Sequence, residues 1–285
     1  MITFVVGPTA AGKSTWALKE AQRLNAIILN ADSIQVYKHF DVGSAKPSVE
    51  DRTRVQHELY DLVSPDQEFT AGDYRRAALA IIEREARGRE IFVVGGSGFY
   101  IQALERGMYD IPPVTDEIRV QVDRWQATQE LWLQLERIDP LTANKLSPRD
   151  HYRLRRALEA TLASGRPWSE IAQDLKQNSN RLAARFEVRK LGISLERSRL
   201  RERIVERIVT MLKDGLLDEV NSLIHRGYGE TRPFGSVGYF ECKEHLAGRL
   251  SGDHLVDSIV TSTMQLAKKQ MTWFRRDNEI TWQEV

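Results

Sequence analysis

The feature that most constrains this chain is the octet Gly7-Pro8-Thr9-Ala10-Ala11-Gly12-Lys13-Ser14. It matches G-x-x-x-x-G-K-[ST] at every fixed position. Such a loop works only between a buried strand and the start of a helix. There its amides converge on an anion and the helix N-terminus adds partial positive charge. The flanks agree. Ile2–Val6 is a short apolar, β-branched run, and Lys13–Leu24 places Ala17, Leu18, Ala21 and Leu24 at helical spacing. Residues 7–14 are therefore read as a phosphate site. Lys13 supplies a full charge to the terminal phosphate, and Ser14 offers a hydroxyl to Mg²⁺.

The rest of the chain extends this unit into an α/β fold, a parallel sheet covered by helices. Ala26–Leu29, Ile91–Val94 and Val188–Ile193 read as further buried strands. Thr70-Ala71-Gly72-Asp73 resembles a capping box with Asp in place of Glu, opening a helix with Ala77, Ala78, Ile81, Ile82 and Ala86 on one face. Between Pro112-Pro113 and about Phe186 no strand signal appears. Trp125, Leu131, Leu133, Leu135, Leu154, Leu158 and Leu162 sit in charged surroundings, which reads as a helical insertion. One of its helices is expected to start at Ser147-Pro148 and end at Ser164-Gly165. Amphipathic helices are then expected over Glu196–Leu212, Leu216–Ile224 and Leu255–Phe274. The predicted organisation is a first core segment over 1–112, an insertion over 113–186, and completion of the core over 187–285.

Cys242 is the only cysteine, which excludes an intrachain disulfide and a Cys-based zinc site. No leader or membrane-length apolar run is present, so a cytoplasmic protein without membrane contact is expected. The net charge of +1 conceals an asymmetry: residues 153–215 hold 15 Lys+Arg against 8 Asp+Glu. That stretch is read as facing a polyanion, against the alternative of a solvated face laced with ion pairs.

A phosphoryl-transfer enzyme of this class needs a Mg²⁺-directing carboxylate at a strand end. Ile91–Val94 runs instead into Gly95-Gly96-Ser97. Asp32 offers a displaced version of that carboxylate, in Asn30-Ala31-Asp32-Ser33-Ile34-Gln35-Val36-Tyr37, at the carboxyl end of a predicted strand where ligands of open α/β sheets bind. It is a metal-directing group, a general base or a helix N-cap.

These blocks, taken in order, resemble the bacterial tRNA dimethylallyltransferases. The phosphate loop and residues 30–37 are followed by Gly43-Ser44-Ala45-Lys46-Pro47, Gly95-Gly96-Ser97-Gly98-Phe99-Tyr100 and Arg153-Leu154-Arg155-Arg156-Ala157-Leu158-Glu159. Then come Gly238-Tyr239 with Glu241, and Ala267-Lys268-Lys269-Gln270 leading to Thr272-Trp273-Phe274-Arg275. Some positions depart from the family pattern. Ser97 replaces a threonine, and Ser147-Pro148-Arg149-Asp150 replaces His-Pro-Asn-Asp. Met264, Leu266 and Lys269 stand where the family tends to have Arg, Tyr and Arg.

The resemblance implies transfer of a dimethylallyl group from dimethylallyl pyrophosphate to N6 of adenosine 37 in the tRNA anticodon loop. The phosphate loop would then hold the pyrophosphate leaving group, with Mg²⁺ as the cofactor. Asp32 would be the general base, Arg203 a pyrophosphate contact, and Ser97 a hydrogen-bonding partner at the same site. Ser33, Ile34 and Gln35 would join Asp32 and Ser97 in holding the adenosine or its neighbours. Arg119, Tyr152, Arg153, Leu154, Arg155 and Arg156 would contact the tRNA, Tyr152 by stacking. No protein partner is implied, and a monomer is expected. A P-loop kinase using ATP is the competing enzyme class. A non-catalytic RNA-binding protein is the third reading, against which the intact Lys13, Ser14 and Asp32 argue.

Overall fold

The structure is a computed structural model that describes residues 1–86, 88–108, 111–177 and 181–284. The chain divides into two compact units, one of Met1–Arg106 with Leu182–Val285, the other of Gly107–Arg181.

The strands are β1 (Ile2–Val6), β2 (Ile27–Asn30), β3 (His57–Glu58), β4 (Ile91–Val94), β5 (Val188–Ser194) and β6 (Thr281–Glu284). They form one sheet in the order β3-β2-β4-β1-β5-β6, and every pairing is parallel. β1, β2 and β4 are mainly apolar, because helices cover both faces of such a sheet and alternation is lost. Every residue of β1, β2 and β4 is buried. β3 and β6 lie outside the strands expected from sequence. His57-Glu58 and Thr281-Trp282-Gln283-Glu284 are polar edge segments that carry no apolar run.

The helices of the first unit are α1 (Lys13–Leu24), α2 (Val49–Arg54), α3 (Ala71–Glu85) and α4 (Gly98–Arg106). Those of the second are α5 (Asp116–Ala127), α6 (Leu131–Ile138), α7 (Pro140–Ala143), α8 (His151–Ser164) and α9 (Trp168–Gln177). The first unit resumes with α10 (Arg197–Lys213), α11 (Leu216–His225), α12 (Tyr239–Leu246) and α13 (Gly252–Phe274). The capping box at α3 forms as its sequence requires: Thr70 Oγ1 accepts from the Asp73 amide, and Asp73 Oδ2 accepts from the Thr70 amide.

The second unit is helical around Val122, Leu131, Leu135, Ala143, Leu154, Ala157 and Leu158. One expectation needs correction. α8 starts at His151 with Asp150 as its cap, accepting from the Arg153 amide, so Ser147-Pro148 belongs to the preceding turn. Within α6, Leu131 and Leu135 turn inward and Leu133 is exposed. The end of α8 is as expected, with Gly165 at φ 68° supplying the left-handed residue that closes the helix.

Candidate functional site

The phosphate loop, residues 30–35, the turn after β4, and parts of α10 and α13 all belong to the first unit. The sheet order explains the grouping. β1 carries the loop, β4 beside it carries Gly95-Gly96-Ser97, and β2 on the far side of β4 carries Asp32. Parallel pairing brings the three carboxyl ends to one edge.

The loop is held in the form the motif demands. Gly7 has φ 141°, and a Cβ there would lie 2.2 Å from the Ile193 carbonyl oxygen, so only glycine lets β1 leave the sheet beside β5. Lys13 is buried and its Nζ donates to the Pro8 carbonyl at 2.7 Å. Burial pulls its pKa down to about 8; the Asp32 carboxylate opposes that fall and Arg207 adds to it. These three charges therefore share one site. Ser14 is exposed at the start of α1.

Two arginines reach the loop from α10. Leu200, Ile204 and Ile208 bury one stripe of that helix. Arg203 and Arg207, one turn apart, flank the stripe. Arg203 Nη1 lies 3.4 Å from the Ala11 carbonyl, and Arg207 Nη1 lies 3.5 Å from Thr9 Oγ1. Burial lowers the Arg207 pKa while Asp32 raises it, which leaves a guanidinium charged at neutral pH and partly stripped of water. Both guanidinium groups thus lie against the phosphate loop, Arg207 with no role foreseen for it.

Asp32 lies in a turn, and no helix follows it before Val49, so the N-cap alternative does not hold. Its Oδ1 accepts from the Ile34 amide at 2.8 Å and the Gln35 amide at 3.4 Å. Both bonds fall on one oxygen, so they orient the carboxylate and leave Oδ2 outside the turn. Asn30 braces the same segment. Its Oδ1 accepts from the Asp32 amide, and its Nδ2 donates to the carbonyls of Asp32 and Leu59. Ser97 Oγ accepts from the Ser33 amide at 2.9 Å, tying the turn after β4 to the Asp32 segment and leaving the hydroxyl proton to donate elsewhere. Gln35 Nε2 is bonded to the carbonyls of Ser44 and Ala45. Of the Gln35 amide, only the oxygen therefore remains to meet a substrate.

Two further residues organise the site: Glu219, which no sequence motif singles out, and Gln270, which stands in a quoted block with no role assigned to it. Glu219 on α11 accepts from the amides of Asp41, Val42 and Gly43 and from the Tyr239 hydroxyl. That single carboxylate joins the Gly43–Pro47 block to the Gly238-Tyr239 block. Gln270 on α13 accepts from the Thr9 amide at 2.8 Å and donates to the Gly96 carbonyl at 3.1 Å. Its partners lie 261 and 174 residues away in sequence, a pairing visible only in the fold.

The residues expected to contact tRNA in the second unit fare unequally. Tyr152, Arg153 and Arg119 are exposed, Arg153 with a loose pairing to Asp150 at 3.4 Å. Arg156 is half-exposed and bonded to Glu159. Arg155 is held by Asp123 and Glu159, so it serves first as a tether between α5 and α8. Leu154 is a correction: it is fully buried in the helical core, and its side chain has no surface to offer RNA. The basic stretch 153–215 is likewise not one surface within one body, because its first part lies in the second unit and its last part in the first.

Among the described residues no group of three or more His, Cys, Asp or Glu is placed to hold a metal, and no helix is long and apolar enough to cross a membrane.

Comparison with known proteins places this geometry. The tRNA dimethylallyltransferase of Bdellovibrio bacteriovorus is 44% identical over 285 residues, covering 99% of this chain and 92% of its own. The crystal structure of the tRNA isopentenylpyrophosphate transferase of Bacillus halodurans superposes with a TM-score of 0.71 at 30% identity, covering 99% of this chain and 89% of that one. A eukaryotic dimethylallyltransferase acting on tRNA has a TM-score of 0.86 at 23% identity, covering 99% of this chain and 73% of its own, and so shares the fold. The IPP transferase family model matches residues 35–277. On these matches, the chain belongs to the IPP transferase family.

Proposed function

We infer that this protein is a tRNA prenyltransferase. It moves a dimethylallyl group from dimethylallyl pyrophosphate to N6 of adenosine 37 in the anticodon loop, giving N6-isopentenyladenosine and releasing pyrophosphate. The observation that carries the reading is the charge arrangement at the sheet edge. A phosphate loop with Lys13, Arg203 and Arg207 shares its site with one oriented carboxylate, Asp32, while β4 beside it ends in Gly-Gly-Ser. That arrangement suits a reaction that parts a pyrophosphate from carbon and removes a proton from an amine.

The chemistry follows from where charge grows. As the C1–O bond of the donor breaks, negative charge builds on the pyrophosphate. The loop amides, Lys13 and the two guanidinium groups stabilise it without reorganising. The attacking N6 gains positive charge and loses a proton. Asp32 Oδ2, on a carboxylate already fixed through Oδ1, accepts that proton. Ser97 holds the Asp32 segment and has a hydroxyl proton left for the substrate. Ser33, Ile34 and the Gln35 oxygen lie beside Asp32 for contacts to the adenosine.

Mg²⁺ commonly takes only one or two protein oxygens, filling its shell with phosphate and water. The exposed Ser14 hydroxyl at the head of α1 fits that demand, and the ion would supply charge neutralisation at the pyrophosphate. Exposed Tyr152, Arg153 and Arg119 are the groups of the second unit suited to bases and phosphates of a single-stranded loop. The reading calls for no protein partner and puts the reaction in the cytoplasm with its tRNA.

Nuclease mapping of tRNA treated with the protein and dimethylallyl pyrophosphate tests the assignment. Mass spectrometry should find one prenyl unit on the fragment containing adenosine 37. A prenyl unit on any other nucleotide contradicts the site assignment.

A further inference from the structure

We propose that Gln270 is a positioning residue that sets the distance between the leaving-group site and the base in this reaction. The inference rests on the prenyl-transfer reading. One amide makes two bonds to two loops: its oxygen accepts from the Thr9 amide, and its nitrogen donates to the Gly96 carbonyl. Thr9 lies in the phosphate loop. Gly96 precedes Ser97, whose hydroxyl accepts from Ser33, next to Asp32. The tether therefore runs from the pyrophosphate cradle to the carboxylate through Gln270, Gly96, Ser97 and Ser33.

Two observations make this more than a surface bond. The Thr9 amide belongs to the loop whose N–H groups serve phosphate, and Gln270 already occupies it. Gln270 therefore takes one donor from the anion and spends it on geometry. Gly96 also matches the amide in shape. A Cβ at Gly96 would lie 2.2 Å from Gln270 Nε2 and 3.0 Å from Cδ. The turn after β4 is thus cut back to admit this side chain.

Displacement at carbon requires leaving group and nucleophile held in line, and a misplacement of about 1 Å costs roughly 10²-fold. Gln270→Ala is expected to lower kcat by about 10- to 100-fold on that basis. KM for dimethylallyl pyrophosphate should change little, because the freed Thr9 amide is still available to phosphate. Gly96→Ala supplies a second route to the same defect. The obstructing atom is the far end of a flexible side chain, so the protein folds and the amide is pushed aside. The effects of the two changes should not multiply, and the double variant should match either single one. Gln270→Glu keeps the bond to Thr9 and loses the one to Gly96, and should fall in kcat as Gln270→Ala does.

The experiment measures kcat and KM for dimethylallyl pyrophosphate in wild type, the three single variants and the double variant, alongside amide exchange of Thr9. A kcat loss at constant KM in Gln270→Ala and Gly96→Ala, with non-multiplying effects and faster Thr9 exchange in Gln270→Ala, supports the proposal. Unchanged kcat, a loss confined to KM, or multiplying effects overturn it. An inactive wild type would instead remove the prenyl-transfer reading. Thr9 exchange would still report on the tether, and unaltered exchange in Gln270→Ala would overturn it independently of turnover.

Discussion

The burial of Lys13 makes a specific demand on the pH profile. Its amine sits under the loop, donating to the Pro8 carbonyl, and loss of water lowers its pKa from 10.5 to about 8. The charged form is the one that binds pyrophosphate. Capture of the donor, read as kcat/KM, follows groups of the free enzyme. It should be level at neutral pH, halve near pH 8, and fall about tenfold per unit beyond, the behaviour of a single ionisation. An unburied lysine would hold the profile level to about pH 10. Lys13→Arg keeps its charge throughout, so whatever activity it retains should lack this alkaline limb. The assay is initial-rate prenyl transfer at low donor concentration and constant ionic strength. A wild-type profile level through about pH 9.5, or a limb unchanged in Lys13→Arg, refutes the reasoning. Folding should show the opposite trend. A lysine with a lowered native pKa binds fewer protons folded than unfolded between about 8 and 10.5, so its burial penalty is relieved as pH rises through that window.

Asp32→Ala should reduce turnover by about 10²- to 10⁴-fold while leaving inorganic pyrophosphate affinity within a few-fold, and wild-type turnover would reduce Asp32 to a structural role. Gly7→Ala places a side chain at φ 141° against the Ile193 carbonyl; a loss of about 1–3 kcal/mol in urea unfolding is expected, and an unchanged midpoint would contradict the loop geometry. Leu154→Ala should cost about 2–5 kcal/mol as a core truncation, with tRNA affinity of the folded protein unaltered; a selective affinity loss would return Leu154 to the interface. Arg153→Glu with Arg156→Glu should weaken tRNA binding and flatten its log–log salt dependence by about 0.7–0.9 for each phosphate no longer neutralised, and an unchanged slope would place the RNA elsewhere.

Where the sequence is legible, one physical signal suffices. A wholly buried parallel strand must be apolar, so Ile2–Val6 and Ile91–Val94 declare themselves. The phosphate loop is legible because its glycines answer to backbone geometry alone. Thr70 and Asp73 are legible because a cap is local. The edge strands β3 and β6 are not, since an edge needs only backbone pairing and tolerates any side chain. The rule for sheet edges places Asp32 near the loop, yet its orientation depends on amides two and three residues on, which no periodicity reports. Leu154 is easily misread among its charged neighbours, although its place on α8 turns it inward while Arg153 points out. Gln270 and Glu219 are the hardest to foresee. Each acts on backbone atoms far away in sequence, and such a bond asks nothing of the partner's identity except, for Gln270, the small size of Gly96.

The central claim is that the phosphate loop holds the pyrophosphate of a prenyl donor rather than a nucleoside triphosphate. The pure protein, incubated with unmodified tRNA, Mg²⁺ and either dimethylallyl pyrophosphate or ATP, tests it directly by mass spectrometry of the digested nucleosides and by assay of released pyrophosphate. One pyrophosphate should appear for each adenosine that gains a dimethylallyl unit, with the prenyl donor alone. Phosphate transfer from ATP without any prenyl adduct would contradict the account and return the fold to the kinases.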